Sequence, residues 1–563
     1  MLAVLALRGS LAVRSIGTDP VNLKRVPLMT ADAQAASGSS EWEDQPIHQT
    51  EHRGPRELVS PDVTEAAGRG QESRGQQAVI PDNQMPARAP SDTPETSVFD
   101  GGTLDIGPSG PAPPDLLRGP ESLHPAELDD HQGSAFRPIK VIDIHIDRPL
   151  VTLSGLERYQ SVRALVRLHG APLGYVRLPV VRGRCPAGAQ RDAIVERLAG
   201  AAVLHIVEDE LAVGLSAASA PRVPTSIKAS HPERIRRLPS VTVAVCTRDH
   251  VASLEGCLES IAQLIYPELE VVVVDNAPTS DAAQTLIAAR WPQMRYVVEE
   301  RPGLNWARNR AIREARGEIV AFTDDDTVVD QHWVEAIGRV FSQRDDVSAV
   351  TGLVIPLELE TRAQMLFEIY GGFGRGFKPV WYTFGPTSRE HVGAGRFGTG
   401  ANMAFKKNVV DELGGFDQAL DVGTVTNGGG DIEMFFRVLQ EGYTLVYEPA
   451  AIVRHRHRRS FDALRIQLTN HGVGFYSYVV RSMLAYPGQR RRFVNFAGWW
   501  LVHWILRRLA LSVARPGRFP RELVLAELRG GLIGLTRYPK ARREAKRLAG
   551  LIDTRRSAEA VAS

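Results

Sequence analysis

The chain has 563 residues and a formal net charge of +2 at pH 7, with 67 Lys and Arg residues against 65 Asp and Glu residues. This length exceeds a single ordinary domain, and the near balance of charge gives no reason to expect a nucleic-acid partner. The three cysteines, Cys185, Cys246 and Cys257, have no metal-site spacing, which excludes a disulfide framework and suits a reducing, cytoplasmic compartment.

The segment 1–137 is predicted to be disordered. It contains 15 of the 36 prolines of the chain, and its apolar residues show no sustained period. Such a composition buries too little apolar surface to offset the entropy of ordering the chain. The first residues are apolar, but Arg8 interrupts them after seven residues, so we do not expect an export signal.

A small β-rich domain is predicted over residues 138–216, followed by a linker over 217–238. Apolar and polar residues alternate in "KVIDIHID" and in "ALVRLHGAPLGYVRLPV", which is typical of strands, and "HGAPLG" has the composition of a turn. The stretch "AQRDAIVERLAGAAV" has helical spacing. His145 and His169 lie in the alternating runs, and we interpret them as ordinary strand residues, not as metal ligands.

From Val241 onward, strands alternate with helices. Near-continuous apolar runs predict buried strands in "VTVAVCTR", "LEVVVVDN", "MRYVVEE" and "EIVAFTDDD". Buried strands that alternate with helices predict an α/β fold, in which a mostly parallel sheet has helices on both faces. Ligands of such sheets bind beyond the carboxyl ends of the strands, where Asp275 and the acids Asp324–Asp326 fall.

The acids Asp324–Asp326 follow a buried strand directly. Three like charges this close repel one another unless a cation or a cationic partner lies among them. The stretch therefore indicates a cation site, with a solvated turn after the strand as the alternative, since aspartate is a good turn residue.

Between Val241 and His457 the motifs occur in the order found in family 2 glycosyltransferases. The matching stretches are "VAVCTRD", "VVVVDNAPTSD", "GLNWARNRAIREARGEIVAFTDDD", "GTGANMAFKK", "ELGGFDQAL" and "GGGDIEMFFRVLQEGYTLVYEPAAIVRHRH". The chain resembles this family, whose members bind nucleotide-diphospho-sugars on a GT-A fold. The resemblance implies a GT-A domain over 239–480, with a Rossmann-like, mostly parallel sheet.

The resemblance implies a divalent cation, Mn²⁺ or Mg²⁺, at the acidic cluster. The donor releases a diphosphate anion, whose charge a Lewis-acidic ion with oxygen ligands neutralises. Asp326 is implied as a metal ligand, and Asp324 is expected to face the ribose or a metal-bound water. His455, in "VRHRHRR", is a second candidate metal ligand, and the alternative is a solvated basic edge.

Several residues are implied to bind the nucleotide or the donor sugar. Asp275 matches the family acid that accepts a hydrogen bond from the nucleobase, and an Asx turn is its alternative. Thr247 and Arg248 fall where the first strand meets the nucleotide. Arg308 either contacts the nucleotide or steadies the acids, with a structural salt bridge as the alternative. Asn402 falls in the stretch that shapes the sugar pocket, or it is an ordinary loop residue.

Asp431 is the predicted catalytic base. Family members place an acidic pair at this point, but Gly430 replaces the first acid of the pair here. Glu433 is the other candidate base. Since residues two positions apart at a helix start point in different directions, only one of them should face the acceptor.

These features predict a metal-dependent transferase that moves one sugar from a nucleoside-diphosphate donor to a hydroxyl of a glycan, lipid or small-molecule acceptor, with inversion. "QRRRF" from Gln489 is only a weak match to the Gln-x-x-Arg-Trp motif of processive synthases, which favours single transfer. A non-catalytic nucleotide- or carbohydrate-binding module is one alternative. A haloacid-dehalogenase-like phosphatase is another, but that family opens its domain with the Asp-x-Asp motif.

The C-terminal region 481–563 is predicted to be basic and helical, with 18 Lys and Arg residues against 5 Asp and Glu residues. Its stretch "FVNFAGWWLVHWILRRLALSV" places tryptophans ahead of arginines, which favours peripheral contact with an anionic membrane, at the inner face of the plasma membrane. The alternative is a helix buried against the catalytic domain.

Overall fold

The computed structural model describes residues 136–216, 237–383, 391–514 and 520–562. Residues 1–135 and 217–236 lie outside this range, so almost all of the predicted disordered segment and of the predicted linker is outside the described residues.

The first described unit is a small sheet covered by a helix. Its strands are β1 (Ile139–His145), β2 (Ser161–Leu168) and β3 (Ala171–Pro179), and helix α1 spans Ala187–Ser216. The strands predicted from the alternating pattern are therefore present. β2 is central, with β1 parallel and β3 antiparallel to it.

The central strand β2 is buried at every position, although its sequence alternates. Val162, Ala164 and Val166 pack on the side of α1 with Ile194 and Leu198. On the other face, Leu165 and Tyr175 pack with Leu353, Ile355 and Ile452 of the large sheet. The small sheet thus lies between α1 and the large sheet, which explains why both of its faces are covered.

The large sheet carries the region from Val241 onward. Its strands are β4 (Val241–Thr247), β5 (Leu269–Asn276), β6 (Arg295–Glu299), β7 (Ile319–Asp324), β8 (Thr327–Val329), β9 (Val347–Pro356), β10 (Val380–Thr383), β11 (Met403–Lys406) and β12 (Thr444–His455). Their order is β10-β12-β9-β11-β7-β4-β5-β6, and β8 pairs with β12.

The four predicted strands β4 to β7 are parallel neighbours, as expected. The strand β11 is antiparallel to both β7 and β9, which the sequence pattern did not predict. β12 is parallel to β9 and antiparallel to β10 and β8. The sheet is therefore mixed, with its parallel half formed by the predicted strands.

Helices cover both faces of this sheet. They are α2 (Val251–Ile261), α3 (Ala282–Arg290), α4 (Leu304–Glu314), α5 (Trp333–Gln343), α6 (Arg362–Tyr370), α7 (Lys407–Glu412) and α8 (Gly430–Gln440). One core joins α2, α3 and α5 to the sheet, and the other joins α4 and α8 to its opposite face. This arrangement confirms the predicted α/β class with a Rossmann-like sheet, as the GT-A resemblance implies.

The C-terminal region is helical. Its helices are α9 (Phe461–Ala485), α10 (Arg490–Trp499), α11 (Arg507–Ala514) and α12 (Arg521–Ala562), with a π-helical segment at Trp500–Leu506. α9 continues through the boundary predicted at residue 481. Its backbone approaches α12 closely, because a Cβ atom on Gly534 would lie 2.5 Å from the carbonyl oxygen of Val473.

The tryptophan-rich stretch is partly buried against the rest of the protein. Trp500 and Ile505 are buried with Phe367 of α6 and Leu464 of α9, as in the packed-helix alternative. Among the described residues, none of the helices is long and apolar enough to cross a membrane.

Candidate active site

The predicted acidic cluster lies where β7 ends and the chain enters β8. Asp324 is the last residue of β7, and Asp326 directly precedes β8. β8 pairs with β12 so that Thr327 lies opposite His455, the last residue of β12. Ligand atoms of Asp324, Asp326 and His455 therefore lie within 4.8 Å of one another, with 3.3 Å between His455 Nε2 and Asp326 Oδ1.

Burial and mutual repulsion dominate the electrostatics of this cluster. Burial, and then the charge of Asp326, raise the pKa of Asp324 to about 7 against the attraction of Arg308. Burial lowers the pKa of His455 to about 4, which leaves the imidazole neutral and able to bind a metal. Its buried Nδ1 has no hydrogen-bond partner among the described residues. Carboxylates and a neutral imidazole fit a divalent cation, which would remove the repulsion.

The middle acid, Asp325, has different partners. Thr247 Oγ1 donates a hydrogen bond to Asp325 Oδ2 at 2.7 Å, and His250 Nδ1 lies 3.4 Å from the same oxygen. Since the Thr247 hydroxyl is buried and used in this bond, we expect Thr247 to hold Asp325 in place of the predicted nucleotide contact. Arg248 is exposed just beyond β4, with its Nε 3.9 Å from Asp249 Oδ2, and its nucleotide contact stays a prediction.

Asp275 lies near the carboxyl end of β5, two strands away from β7 in the sheet. Asp275 is 1% exposed, and burial raises its pKa. Tyr296 donates its hydroxyl to Asp275 Oδ2 at 2.9 Å, whereas Oδ1 is buried without a hydrogen-bond partner among the described residues. A buried oxygen that lacks a donor costs free energy, and a ligand N–H would satisfy it.

Arg308 of α4 is buried and forms a salt bridge. Its Nη1 donates to Asp421 Oδ2 at 2.6 Å and to Asn305 Oδ1 at 3.0 Å. The structure shows this salt bridge, and a contact of Arg308 with the nucleotide stays a prediction. Burial acts to lower the pKa of Arg308. The negative charges of Asp421, Asp324 and Asp431, in this order, raise it. One buried cation thus serves several carboxylates.

Asp431 lies in the first turn of α8, next to this cation. Its Oδ2 accepts a hydrogen bond from Gly400 N and its Oδ1 from its own neighbour Ile432 N, both at 2.8 Å. A Cβ atom on Gly400 would lie 2.7 Å from Arg308 Nη2 and 3.4 Å from Asp431 Oδ2, so only glycine leaves room for both groups. Burial and the charge of Asp421 raise the pKa of Asp431, while Arg308 acts in the opposite direction.

Asp421 is the site residue that the sequence reasoning missed. It lies in the loop before α8, with a φ of 81°, and is only 6% exposed. A Cβ atom on Gly430 would lie 2.5 Å from Asp421 Oδ2, so the carboxylate of Asp421 fills the space beside residue 430. A carboxylate therefore lies beside the position where the resemblance leads us to expect the first acid of the pair. The sequence signal is weak, because an aspartate in a loop is ordinary.

Glu433, the alternative base, is wholly buried in ion pairs. Its Oε1 lies 2.7 Å from Arg437 Nε and 2.7 Å from Arg481 Nη1. With 0% of its surface exposed, Glu433 joins α8 to α9 and has no access to an acceptor.

The side chain of Asn402 is enclosed by hydrogen bonds within the protein. Trp333 Nε1 donates to its Oδ1 at 2.8 Å, and its Nδ2 donates to the carbonyl oxygens of Leu353 at 3.1 Å and Ala451 at 2.8 Å. The side chain is 0% exposed, and these bonds use its oxygen and both of its N–H groups. We therefore expect Asn402 to fasten β11 to β9 and β12 and not to touch the donor.

Two arginines of β2 reach the elements that carry the acidic cluster. Arg167 Nη1 donates to Asp330 Oδ2 at 2.6 Å, just beyond β8. Arg163 Nη1 donates to Glu368 Oε2 at 2.8 Å, and Glu368 Oε1 shares a 2.8 Å hydrogen bond with His457 Nε2. The rings of His457 and His455 are 5.7 Å apart. The small sheet is thus joined by buried ion pairs to the edge where the cluster lies.

Comparison with known proteins identifies the domain. Residues 240–414 match the model of "Glycosyl transferase family 2". A glucosyl-dolichyl phosphate glucuronosyltransferase of Haloferax volcanii is 26% identical over 243 residues, which cover 40% of this chain and 72% of that protein. The O-antigen biosynthesis protein RfbC of Myxococcus xanthus is 26% identical over 346 residues, which cover 58% of this chain and 26% of that protein.

Among solved structures, the mannosyltransferase PcManGT from Pyrobaculum calidifontis in complex with GDP-Man and Mn²⁺ is similar over 53% of this chain and 87% of that chain, with 21% identity and a TM-score of 0.35. The family match begins just before β4 and includes the Asp-x-Asp turn and Gly400. The chain therefore contains a family 2 glycosyltransferase domain and is an enzyme of glycosyl transfer.

Proposed function

We propose that this enzyme uses a divalent cation to transfer one sugar from a nucleoside-diphosphate-sugar to an acceptor hydroxyl, with inversion at the anomeric carbon. The observation that carries the proposal is the convergence of Asp324, Asp326 and His455 at the sheet edge where Arg308 and Asp431 also lie. Glycosyl transfer requires that the charge of the leaving group is neutralised and that the acceptor proton is removed at the same place. The two carboxylates with His455 can bind a cation for the first requirement, and Asp431 can accept the proton.

The cation would be held by Asp326 and His455, with Asp324 facing it directly or through water. A bound Mn²⁺ or Mg²⁺ would neutralise the negative charge that develops on the departing diphosphate. The imidazole favours Mn²⁺ over Mg²⁺, since Mg²⁺ prefers oxygen ligands. The position of His455 Nε2, 3.3 Å from Asp326 Oδ1, and the mutual repulsion of the acids support this assignment.

Asp431 is the proposed general base. As the acceptor oxygen bonds to the anomeric carbon and the bond to the diphosphate oxygen breaks, the acceptor proton moves to the Asp431 carboxylate. Its raised pKa makes it a stronger base than an exposed aspartate. The two backbone N–H groups that donate to it fix the direction of the carboxylate. Glu433 cannot take this part, because its carboxylate is enclosed by arginines.

Asp275 is proposed to read the nucleobase. Its Oδ1 is free to accept an N–H, while Tyr296 holds the other oxygen in place. Such a contact orients the nucleotide from a point on β5, so that its phosphates extend along the carboxyl edge of the sheet toward Asp326.

Single transfer is proposed because the residues near the weak "QRRRF" match serve in packing. Gln489 Nε2 donates to Gln440 Oε1 at 2.9 Å, and Phe493 is 0% exposed among Phe436, Tyr478 and their neighbours. These side chains join α10 to α8 and α9, and Phe493 has no surface to offer a growing polymer.

The test is a panel of nucleotide sugars scored by release of nucleoside diphosphate, with Mn²⁺, with Mg²⁺ and after treatment with a chelator. Donor-dependent release that requires the cation and increases with an acceptor supports the proposal. Binding of donors without release across the panel would instead favour a non-catalytic module, and release that survives chelation would contradict the role of the cation.

Peripheral contact with an anionic membrane stays a hypothesis. Its support is that Leu501, Val502 and Leu506 are exposed beside the exposed Arg507. Co-sedimentation of the full chain with phosphatidylserine vesicles, compared with neutral vesicles, tests it. Equal recovery with both would contradict the electrostatic part of the hypothesis.

A further inference from the structure

A second group of metal-ligating side chains lies in the small unit, outside the active site. His169 occupies the turn between β2 and β3, with a φ of 50°, and is therefore not the strand residue that its sequence suggested. His205 and Asp209 lie on α1 four positions apart, so they share one face of the helix. The fold places the turn at His169 against the face of α1 that carries His205 and Asp209. The spacing of these residues in the sequence does not indicate this contact.

The ligand atoms of these three residues lie within 4.8 Å of one another. Asp209 Oδ2 is 2.6 Å from His169 Nδ1 and 3.4 Å from His205 Nε2. Two ligand atoms bound to one tetrahedral zinc ion at ~2.0–2.1 Å lie roughly 3.3 Å apart. Asp209 Oδ2 and His205 Nε2 already have this separation. Asp209 Oδ2 and His169 Nδ1 reach it if their hydrogen bond breaks and the two atoms move slightly apart.

The burial of the group also fits a bound ion. His205 Nε2 is buried and has no hydrogen-bond partner among the described residues. The side chains of His169, His205 and Asp209 are 38%, 20% and 30% exposed, so the site is reached from solvent. A buried ring nitrogen without a partner is costly, and a cation would satisfy it.

We propose that His169, His205 and Asp209 bind a zinc ion, with water completing the coordination. Two imidazoles and one carboxylate form a nitrogen-rich set that suits Zn²⁺, whereas Mg²⁺ prefers oxygen ligands. The active-site cluster has the opposite balance, with two carboxylates and one imidazole. The two sites therefore differ in the ions that they favour.

The zinc site fastens the second half of α1 to the small sheet. Three apolar side chains in this part of α1 are largely exposed: Val203, Leu204 and Val207, at 54%, 48% and 45%. Apolar packing by these side chains therefore does not hold this part of the helix on the sheet. Ala202 and Ile206 are only partly buried where they pack against the hydrophobic core between α1 and the small sheet. An ion bridging α1 to the turn at His169 restricts both elements, and metal binding that orders its own ligands adds to the stability of the fold.

The test compares zinc binding by the full chain, freed of metal with a chelator, in wild type, His205→Ala and His145→Ala. All three keep the active-site cluster, so a difference between them belongs to the small unit. His145 is the matched control, because it lies at the end of β1 outside the group. We expect wild type and His145→Ala to bind one more equivalent of Zn²⁺ than His205→Ala does at the same free zinc concentration.

Loss of a direct ligand should weaken this site by more than the ~10-fold that losing an outer partner typically costs. Asp209→Asn keeps the size of the side chain and should also lose affinity, and circular dichroism without metal should be the same for all variants. Zinc should raise the melting temperature of wild type and slow proteolysis of α1. Equal zinc stoichiometry and affinity in wild type and His205→Ala would overturn the proposal.

Discussion

Glu368→Gln tests whether the small sheet is fastened to the active-site edge by a buried charge. Glu368 is 8% exposed and lies between Arg163 of β2 and His457, at 2.8 Å from each. Burial acts to raise its pKa, but Arg163 and His457 hold that pKa down at about 2. A fall of roughly 2.5 pH units from the ordinary value corresponds to about 3 kcal/mol of folding free energy.

The sign of the pH dependence follows from the direction of the shift. Because the folded-state pKa is depressed, this stability is fully present above about pH 4.5 and is lost as the pH falls toward about 2. Glu368→Gln should therefore lower the free energy of unfolding by about 3 kcal/mol at pH 7. The gap to wild type should shrink by about 1.4 kcal/mol per pH unit below pH 4.5.

Urea unfolding at a series of pH values measures this gap. Glu360→Gln is the matched control, because Glu360 pairs with Arg158 across the same boundary at 3.0 Å, but the Arg158 side chain is 66% exposed. An exposed pair contributes about 0–1 kcal/mol. If Glu368→Gln is no more destabilising than Glu360→Gln, or if its gap to wild type does not change with pH, the buried-charge argument is wrong.

Four further substitutions test the active site. Asp326→Ala should abolish metal-dependent donor binding, measured by calorimetry with and without Mn²⁺, and unchanged affinity at saturating Mn²⁺ would contradict the metal assignment. Asp431→Asn should lower turnover at least ~100-fold with donor affinity near wild type, whereas Glu433→Gln should mainly lower the melting temperature; the reverse result would exchange their roles. Asp421→Asn removes the charge that raises the pKa of Asp431 and should shift the acid limb of the pH–rate profile to lower pH, while an unshifted limb would exclude this influence.

The parallel half of the sheet could be predicted because each of its strands contains a near-continuous apolar run. β4 illustrates this: Val241, Val243 and Val245 pack on one face of the sheet and Ala244 on the other, so both faces of the strand require apolar residues. The acids at the ends of β5 and β7 follow from the same pattern, since parallel strands end at one edge. For these elements local sequence carries the necessary information.

The remaining features depend on pairings between distant parts of the chain. Asp421 lies beside Arg308 only because its loop folds next to Gly430, and the amide of Asn402 is enclosed only because Trp333 and two carbonyl groups bind it. Neither fact leaves a period or a motif in the sequence. His169 was misread for the same reason, because its partners lie on α1 and the turn conformation depends on where the strands end.

The strand β12 explains why a small sheet accompanies this glycosyltransferase domain. Successive residues of a strand face opposite sides, so Val453 and His455 share one side while Ile452 and Arg454 share the other. On the first side Val453 joins the core with Val329, and His455 reaches Asp326. On the second side Ile452 packs on Leu165 and Tyr175, and Arg454 forms an ion pair with Asp143 of β1. The small sheet therefore covers the back of the strand whose front supplies the histidine beside Asp324 and Asp326. A shift of β12 by one residue would turn His455 toward the small sheet, and the contacts of Ile452 and Arg454 oppose that shift.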